Sequence, residues 1–158
     1  MKRIGLLGCG AIGTEIALAI DSGKIPATLT HVYDIERSQA DNLVSKLKQK
    51  PEVVTNSHLL SSNSVELIVE AASQDAVRND AVSILQNKKD MMIMSAGALL
   101  DESVFEVISD ACKDFGKTVY LPSGAIAGLD ALKSVKDELE SVMLVTCLLY
   151  TSPSPRDS

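Results

Sequence analysis

The segment from Gly8 to Gly13 reads GCGAIG and fits the pattern Gly-x-Gly-x-x-Gly. The preceding run, Arg3–Leu7, is short and apolar, which predicts a buried strand, and Ala11–Ile20 carries apolar residues at helical spacing. Asp34 ends the next predicted strand, roughly 20 residues past the last glycine. A glycine turn between a strand and a helix, followed by an acid at this distance, predicts a dinucleotide-binding βαβ unit.

Each glycine of this motif has its own physical reason. Gly8 permits a tight turn, Gly10 lets the backbone approach a pyrophosphate, and Gly13 lets the helix pack closely on the strand. The start of the helix offers free N–H donors and a partial positive charge. We therefore predict that the diphosphate of a nicotinamide dinucleotide is bound by Gly8, Gly10, Ala11, Ile12 and Gly13.

Asp34 determines the expected choice of cofactor. Its carboxylate can accept hydrogen bonds from both hydroxyls of an adenosine ribose, whereas it would repel a 2′-phosphate. Arg37 could neutralise part of that phosphate charge. The sequence therefore predicts NAD as the cofactor, with NADP possible.

Two alternatives to a nicotinamide dinucleotide stay open for this turn. The main alternative ligand is S-adenosylmethionine, which other proteins also bind with a glycine loop and an acid. The structural alternative is a glycine turn that binds no ligand.

Short apolar runs and amphipathic stretches alternate along the rest of the chain. Further strands are predicted at Ala27–Tyr33, Val53–Val54, Leu67–Val69, Met91–Met94 and Thr118–Leu121, and further helices at Ser38–Lys50, Asp75–Gln86 and between Asp101 and Gly116. This order predicts an α/β fold, a doubly wound parallel sheet of the Rossmann type. We expect the dinucleotide-binding domain at residues 1–121, and the crossover and start of a second, α+β substrate domain at residues 122–146.

Three loops that follow predicted strands consist of small residues. They are residues 70–74 (EAASQ), 95–98 (SAGA) and 122–128 (PSGAIAG). Because ligands of doubly wound sheets lie outside the carboxyl ends of the strands, these loops are expected to form one long groove. Such a groove has room for a nicotinamide ribose and ring, and its backbone can supply donors. Ala72 and Ser73 are therefore candidate cofactor contacts, although any one of these loops could be a simple structural turn.

Composition excludes several other classes of function. The chain has 15 basic and 21 acidic side chains, for a net charge of −6, and it has no basic block. This argues against nucleic acid or an anionic membrane as the partner. No apolar run reaches the roughly 18 residues of a membrane span. The 3 cysteines and 2 histidines form no metal-binding or disulfide pattern, and we expect a cytoplasmic protein without a metal.

The end of the chain has an unusual sequence. Residues 147–157 read CLLYTSPSPRD and resemble a translated adapter from sequencing-library preparation. We therefore expect residues 147–158 to be a non-native tail and the rest to be a fragment of a longer protein. A genuine disordered tail rich in Ser and Pro is the alternative.

The segments at residues 69–77, 95–98 and 123–131 resemble the NAD(P)-dependent L-aspartate dehydrogenases, and the resemblance covers about residues 2–146. It implies reversible oxidation of L-aspartate to iminoaspartate, which hydrolyses to oxaloacetate and ammonia and can feed NAD biosynthesis. In that family the alanine after Ser-Gly contacts NAD, which implies a cofactor contact at Ala125. The family's active-site histidine lies in the substrate domain, past the end of this sequence. The resemblance therefore implies no catalytic residue here, little activity of this chain alone, and a homo-oligomer at full length.

Two other interpretations stay open. One is a related homoserine dehydrogenase or dihydrodipicolinate reductase, which the run at residues 123–131 disfavours. The other is a non-catalytic NAD-sensing domain. Four side chains with possible chemistry, namely Cys9, His31, His58 and Lys133, are interpreted as structural or surface residues rather than as catalytic groups.

Overall fold

The computed structural model describes residues 1–122 and residue 141. Within this part of the chain, strands and helices alternate as the sequence predicts. The strands are β1 (Lys2–Leu7), β2 (Ala27–Tyr33), β3 (Glu52–Val53), β4 (Leu67–Glu70), β5 (Asp90–Ile93) and β6 (Val119–Tyr120). The α-helices are α1 (Ala11–Asp21), α2 (Arg37–Lys46), α3 (Gln74–Gln86) and α4 (Glu102–Phe115). Two short 3-10 helices cover Ser57–Ser61 and Ala96–Leu100.

The six strands form one parallel sheet in the order β3-β2-β1-β4-β5-β6. The chain starts in the middle of the sheet, adds β2 and β3 on one side of β1, and then adds β4, β5 and β6 on the other. This is the doubly wound α/β arrangement that the sequence predicts, and its switch point lies between β1 and β4. The carboxyl ends of all six strands meet at one edge, which places the loops that follow them side by side.

Helices cover both faces of this sheet. Along β1, Leu6 packs with α1 and α2 in one apolar cluster, while its neighbour Leu7 packs with α3 and α4 in a second cluster. Ile68 and Val69 of β4 alternate in the same way. Because successive strand residues point to opposite faces, the two clusters are the two layers of the core. Buried on both faces, the central strands read as continuous apolar runs, as parallel strands do.

The buried faces of two helices differ from the prediction by a small rotation. The helical spacing of the apolar residues in Ala11–Ile20 predicts Ile12 on the core face of α1, but Ile12 is 53% exposed, and the helix buries Gly13, Ala17 and Ile20 instead. The face of α1 that carries Gly13 lies against the glycine turn, where a Cβ at Gly13 would overlap the carbonyl oxygen of Gly8. The apolar spacing of α4 likewise predicts Val107 on the core face. Val107 is 55% exposed, however, and the buried residues of α4 are Ile108 and Ala111.

Helix α2 ends four residues earlier than the predicted Lys50. Leu47 is already extended, and the chain is then held by Asp21 of α1, whose carboxylate accepts the backbone N–H groups of Lys48 at 3.0 Å and Gln49 at 2.9 Å. A contact between residues so distant in sequence leaves no local signal. No helix within the described residues is long and apolar enough to cross a membrane.

Some sequence predictions cannot be compared with the structure. Most of the loop at residues 122–128, the run at residues 123–131 and the expected non-native tail at residues 147–158 lie outside the described residues, and so do Ala125 and Lys133.

Candidate functional site

The glycine turn occupies the space between β1 and α1, and two of its glycines are required by the backbone. Gly8 has φ +100°, and a Cβ built there would lie 2.7 Å from the carbonyl carbon of Ala71. A Cβ built at Gly13 would overlap the carbonyl oxygen of Gly8. The close packing that the sequence predicts for this turn is therefore present.

Gly10 differs from the other two glycines, because no described atom lies within 4 Å of a Cβ built at this position. Packing within the described part of the protein therefore does not require this glycine, and its backbone faces open space. Gly10 is also the N-cap residue of α1, which has no side-chain cap and no acidic residue in its first turn. Among the described residues, the N–H groups of Ala11, Ile12 and Gly13 have no acceptor. Such a helix start attracts an anionic group.

Asp34 lies directly beyond β2 and is fixed by two backbone donors. Its Oδ2 accepts the N–H of Cys9 at 2.7 Å, and its Oδ1 accepts the N–H of Glu36 at 2.9 Å. The first bond joins the end of β2 to the glycine turn, so the carboxylate and the start of α1 keep a defined relative position. Each carboxylate oxygen has a second lone pair for a further donor.

The thiol of Cys9 is buried beneath this turn and is 2% exposed. Burial, together with the negative charge of Asp34, raises the pKa of Cys9 from its ordinary 9.0 to about 12. A nucleophilic cysteine needs a lowered pKa, so this thiol is a small spacer, as the sequence predicts.

A cleft of about 300 Å³ opens among the loops that follow β1, β2 and β4. Its lining includes four of the predicted site residues, which are Gly8, Asp34, Ala72 and Ser73. Leu7, Tyr33, Ile35 and Ala76 are apolar residues of the same lining. The other described site residues, at positions 10–13, lie beside it at the start of α1. An apolar cleft with a fixed carboxylate at its side suits a nucleoside.

Ala72 and Ser73 lie in the loop after β4, as the sequence predicts. Some of their hydrogen-bonding groups are already bonded to other residues of the protein. The N–H of Ala72 donates to Glu70 Oε1 at 2.8 Å, and Ser73 Oγ accepts the N–H of Ala76 at 3.1 Å as the N-cap of α3. In the next loop, the N–H of Ser95 donates to Glu70 Oε2 at 3.0 Å. The expectation that these loops offer backbone donors to a ligand is therefore wrong for Ala72 and Ser95.

Glu70 is the residue that the sequence analysis missed. The sequence pattern assigns Glu70 only to the start of a small-residue loop, yet it is the last residue of β4 and is 0% exposed. The available signal was the acid that ends the apolar run from Leu67 to Val69. Strand position alone does not distinguish a buried carboxylate from one that faces solvent.

The other candidate side chains have structural partners. His31 Nε2 lies 3.3 Å from Ser62 Oγ and 3.5 Å from Glu52, away from the carboxyl edge of the sheet. The polar segment around His58 predicts a solvated loop residue with nothing to orient it, but the Nδ1 of His58 lies 3.0 Å from Ser83 Oγ, which corrects that prediction.

Arg37, which could have met a 2′-phosphate, lies with its Nε 3.5 Å from the carboxylate of Asp41.

Comparison with known proteins shows which family this chain is similar to. An L-aspartate dehydrogenase of Nitrosopumilus maritimus is 67% identical over 146 residues, which are 92% of this chain and 54% of that protein. One from Methanocella arvoryzae is 42% identical over 157 residues, which are 99% of this chain and 56% of that protein. The chain thus spans about half the length of these curated relatives.

Solved structures show the same fold. A crystal structure of aspartate dehydrogenase from Thermotoga maritima has a TM-score of 0.64 and 29% identity, covering 87% of this chain and 52% of that one. A myo-inositol dehydrogenase from Lactobacillus casei, solved with NAD(H) and myo-inositol, has a TM-score of 0.74 at 17% identity, covering 87% of this chain and 42% of that one. This second likeness concerns the fold alone.

A protein-family model described as "Homoserine dehydrogenase, NAD binding domain" matches residues 8–122. The match begins at the first glycine of the motif and runs through all the loops at the carboxyl edge that the structure describes. The chain therefore belongs to this family.

Proposed function

We propose that this chain is the cofactor-binding part of an L-aspartate dehydrogenase that uses NAD. The observation that carries the proposal is the bond between Asp34 and the glycine turn, which sets a ribose-binding carboxylate beside an uncapped helix start. The L-aspartate dehydrogenases at 67% and 42% identity support the assignment of the substrate.

The residues present fit a dinucleotide. The space at Gly10 admits a diphosphate to within contact of the backbone, and the N–H groups of Ala11, Ile12 and Gly13 can donate to it. The adenosine ribose would lie at Asp34, with the nearby cleft beside Ala72 and Ser73 for the rest of the nucleoside. Ala125, which the family resemblance implies as a cofactor contact, would be a further contact with NAD.

The preference for NAD over NADP follows from charge. Asp34 is fixed by the N–H groups of Cys9 and Glu36, so it cannot easily turn away from a 2′-phosphate. Arg37 already has an acidic partner in Asp41. Such an exposed pair is weak, and Arg37 remains able to reach a phosphate in part. NADP is therefore tolerated but bound less tightly.

When bound, NAD would supply the acceptor for the hydride that leaves Cα of the amino acid. The described part of this chain binds and orients the cofactor at the carboxyl edge of the sheet. No described histidine lies where it could act as the base, so we assign no catalytic residue to this chain. We place residues 122–146 at the start of a substrate domain.

The proposal also covers the partners of the protein. Its substrate would be L-aspartate, and the full-length enzyme would be a cytoplasmic homo-oligomer. The net charge of −6 supports the expectation that it does not bind nucleic acid.

The test of the substrate is an assay of the full-length reading frame, recovered from source DNA. Appearance of NADH is followed with L-aspartate and, separately, with L-homoserine, because the matched family model is named after homoserine dehydrogenase. The proposal predicts NADH production with L-aspartate only. Turnover with L-homoserine alone, or with neither amino acid, would contradict it.

A further inference from the structure

Glu70 is a buried charged group that the proposed cofactor site does not use directly. It is 0% exposed and sits between Leu7 of β1 and Ile93 of β5 in the ladder of the sheet. Within the described part of the chain, no lysine or arginine forms an ion pair with it. Burying a carboxylate without a cation is costly, and an apolar residue usually serves stability better at such a position. A buried carboxylate at this position therefore points to a role other than core packing.

The carboxylate joins two loops of the carboxyl edge. Oε1 accepts the N–H of Ala72 at 2.8 Å and the hydroxyl of Ser95 at 2.8 Å, and Oε2 accepts the N–H of Ser95 at 3.0 Å. Ala72 belongs to the loop after β4, and Ser95 belongs to the loop after β5. The side chain of Glu70 therefore fixes both loops.

The strand order shows which part of a dinucleotide lies over these loops. Asp34 follows β2 on one side of β1, and the glycine turn follows β1 itself. A dinucleotide with its diphosphate at the turn and one ribose at Asp34 has to extend its other half over β4 and β5. The loops joined by Glu70 lie at the ends of these two strands.

We propose that Glu70 is a positioning residue that holds the loops at Ala72 and Ser95 in place for the nicotinamide half of the cofactor. This inference rests on the proposed function. Glu70 acts through the two loops and has no contact with the reacting atoms. The adenosine half depends on Glu70 less, because Asp34 and the glycine turn hold it and Ala72, but not Ser95, lines the nucleoside cleft.

The separation of the two halves has a structural basis. Ala71, whose backbone packs against Gly8, is held by its own ladder bond from its N–H to the carbonyl of Leu7 at 2.8 Å. The glycine turn also keeps its bonds to Asp34 and Tyr33. None of these contacts uses the side chain of Glu70, so we expect them to persist in a Glu70 variant.

The variant Glu70→Gln tests the role of the carboxylate. Glutamine has one acceptor oxygen and one NH2 donor, so its NH2 group faces either the N–H of Ala72 or the N–H of Ser95. Ser95→Ala is a milder variant, which removes the hydroxyl donor and keeps the N–H. Ile84→Val, which removes one buried methyl group from α3, is the control for a general loss of core packing.

The experiment titrates the 158-residue chain and its variants with NAD and with ADP by calorimetry, after circular dichroism has established folding. ADP carries the adenosine and both phosphates but lacks the nicotinamide half. For Glu70→Gln we expect NAD affinity to fall by about fivefold or more and ADP affinity to stay within about twofold. Ser95→Ala should show a smaller loss for NAD alone, and Ile84→Val should match the wild type for both ligands.

The outcomes separate the two proposals. If the wild-type chain binds neither ligand, the proposed function is contradicted, and the inference about Glu70 is overturned with it. If the wild type binds both ligands and Glu70→Gln keeps its NAD affinity, or loses both affinities equally, only the role of Glu70 is overturned. If Glu70→Gln does not fold, Ser95→Ala decides, and unchanged NAD affinity in that variant overturns the inference.

Discussion

The backbone N–H of Cys9 donates to Asp34 Oδ2 at 2.7 Å. This bond connects the turn after β1 to the residue that follows β2, so the proposed diphosphate and ribose sites are built as one unit. This bond fixes the turn and the carboxylate relative to each other, so binding of a dinucleotide would not have to order them. Pre-organisation of this kind lowers the entropic cost of binding.

The variant Asp34→Asn tests the electrostatic part of this arrangement. Removing the charge weakens the hydrogen bonds to the adenosine ribose and ends the repulsion of a 2′-phosphate. We expect the ratio of the NADP to the NAD dissociation constant to fall by on the order of tenfold. Calorimetric titration with both cofactors measures the ratio. Asp110→Asn, a change at an exposed carboxylate of α4, controls for net charge, and an unchanged ratio in Asp34→Asn would refute the charge argument.

The pair Gly10→Ala and Gly13→Ala separates binding from folding. A methyl group at Gly10 meets no described atom within 4 Å, and φ there is −69°, so this variant should fold normally. It should nevertheless lose NAD affinity by about tenfold or more, because the methyl group occupies the space of the diphosphate. A folded Gly10→Ala protein with wild-type affinity would show that no diphosphate approaches this backbone.

Gly13→Ala should instead reduce stability. Its methyl group would overlap the carbonyl oxygen of Gly8, so α1 has to move away from β1. We expect a loss of about 1–3 kcal/mol in the free energy of unfolding. Urea denaturation measures it, with Gly10→Ala as the matched control. Equal stability of the two variants would contradict the packing that the structure shows.

The thiol of Cys9 should react slowly with alkylating reagents. Burial and the nearby carboxylate of Asp34 raise its pKa to about 12, so little thiolate is present near neutral pH. Peptide mapping after treatment with iodoacetamide at about pH 8 should show Cys9 largely unmodified in the native protein. In urea, the alkylation rate of Cys9 should rise to the rate of Cys112 measured in the same sample, so Cys112 serves as the internal control. Rapid native labelling of Cys9 would indicate an open turn.

The contact between Asp21 and residues 48–49 predicts a dependence of stability on pH. The backbone N–H groups of Gln49 and Lys48 hold the pKa of Asp21 below its ordinary 3.8. Because the folded-state pKa is lowered, this contribution is fully present above the ordinary pKa and is lost as pH falls through the lowered value. The wild type should therefore be more stable than Asp21→Asn at about pH 6, and the difference should shrink at about pH 3. Urea midpoints measure this, and a difference that persists on acidification would contradict the assignment.

Features with a local cause could be predicted from the sequence. The helix α4 begins after Asp101, whose side chain accepts the N–H of Ser103, and it ends at Gly116 with φ +61°. Capping acids and left-handed glycines act within a few residues of their own positions, so the start and end of a helix can be predicted from the neighbouring residues. The same holds for the glycine turn and for Asp34, because the spacing of a βαβ unit is nearly constant.

Features that depend on tertiary contacts could not be predicted. Glu70 and Ser95 are separated by a helix and a strand, and only the pairing of β4 with β5 brings them together. The end of α2 is likewise set by Asp21 on another helix. The exposure of Ile12 follows from the rotation of α1 about its contact at Gly13, which an apolar pattern does not define to one residue.

The most direct test of the account is a calorimetric titration of the folded 158-residue chain with NAD and with NADP. The uncapped start of α1 and the fixed carboxylate of Asp34 predict saturable binding of NAD and weaker binding of NADP. Absence of saturable heat with either dinucleotide, in protein shown to be folded by circular dichroism, would contradict the account.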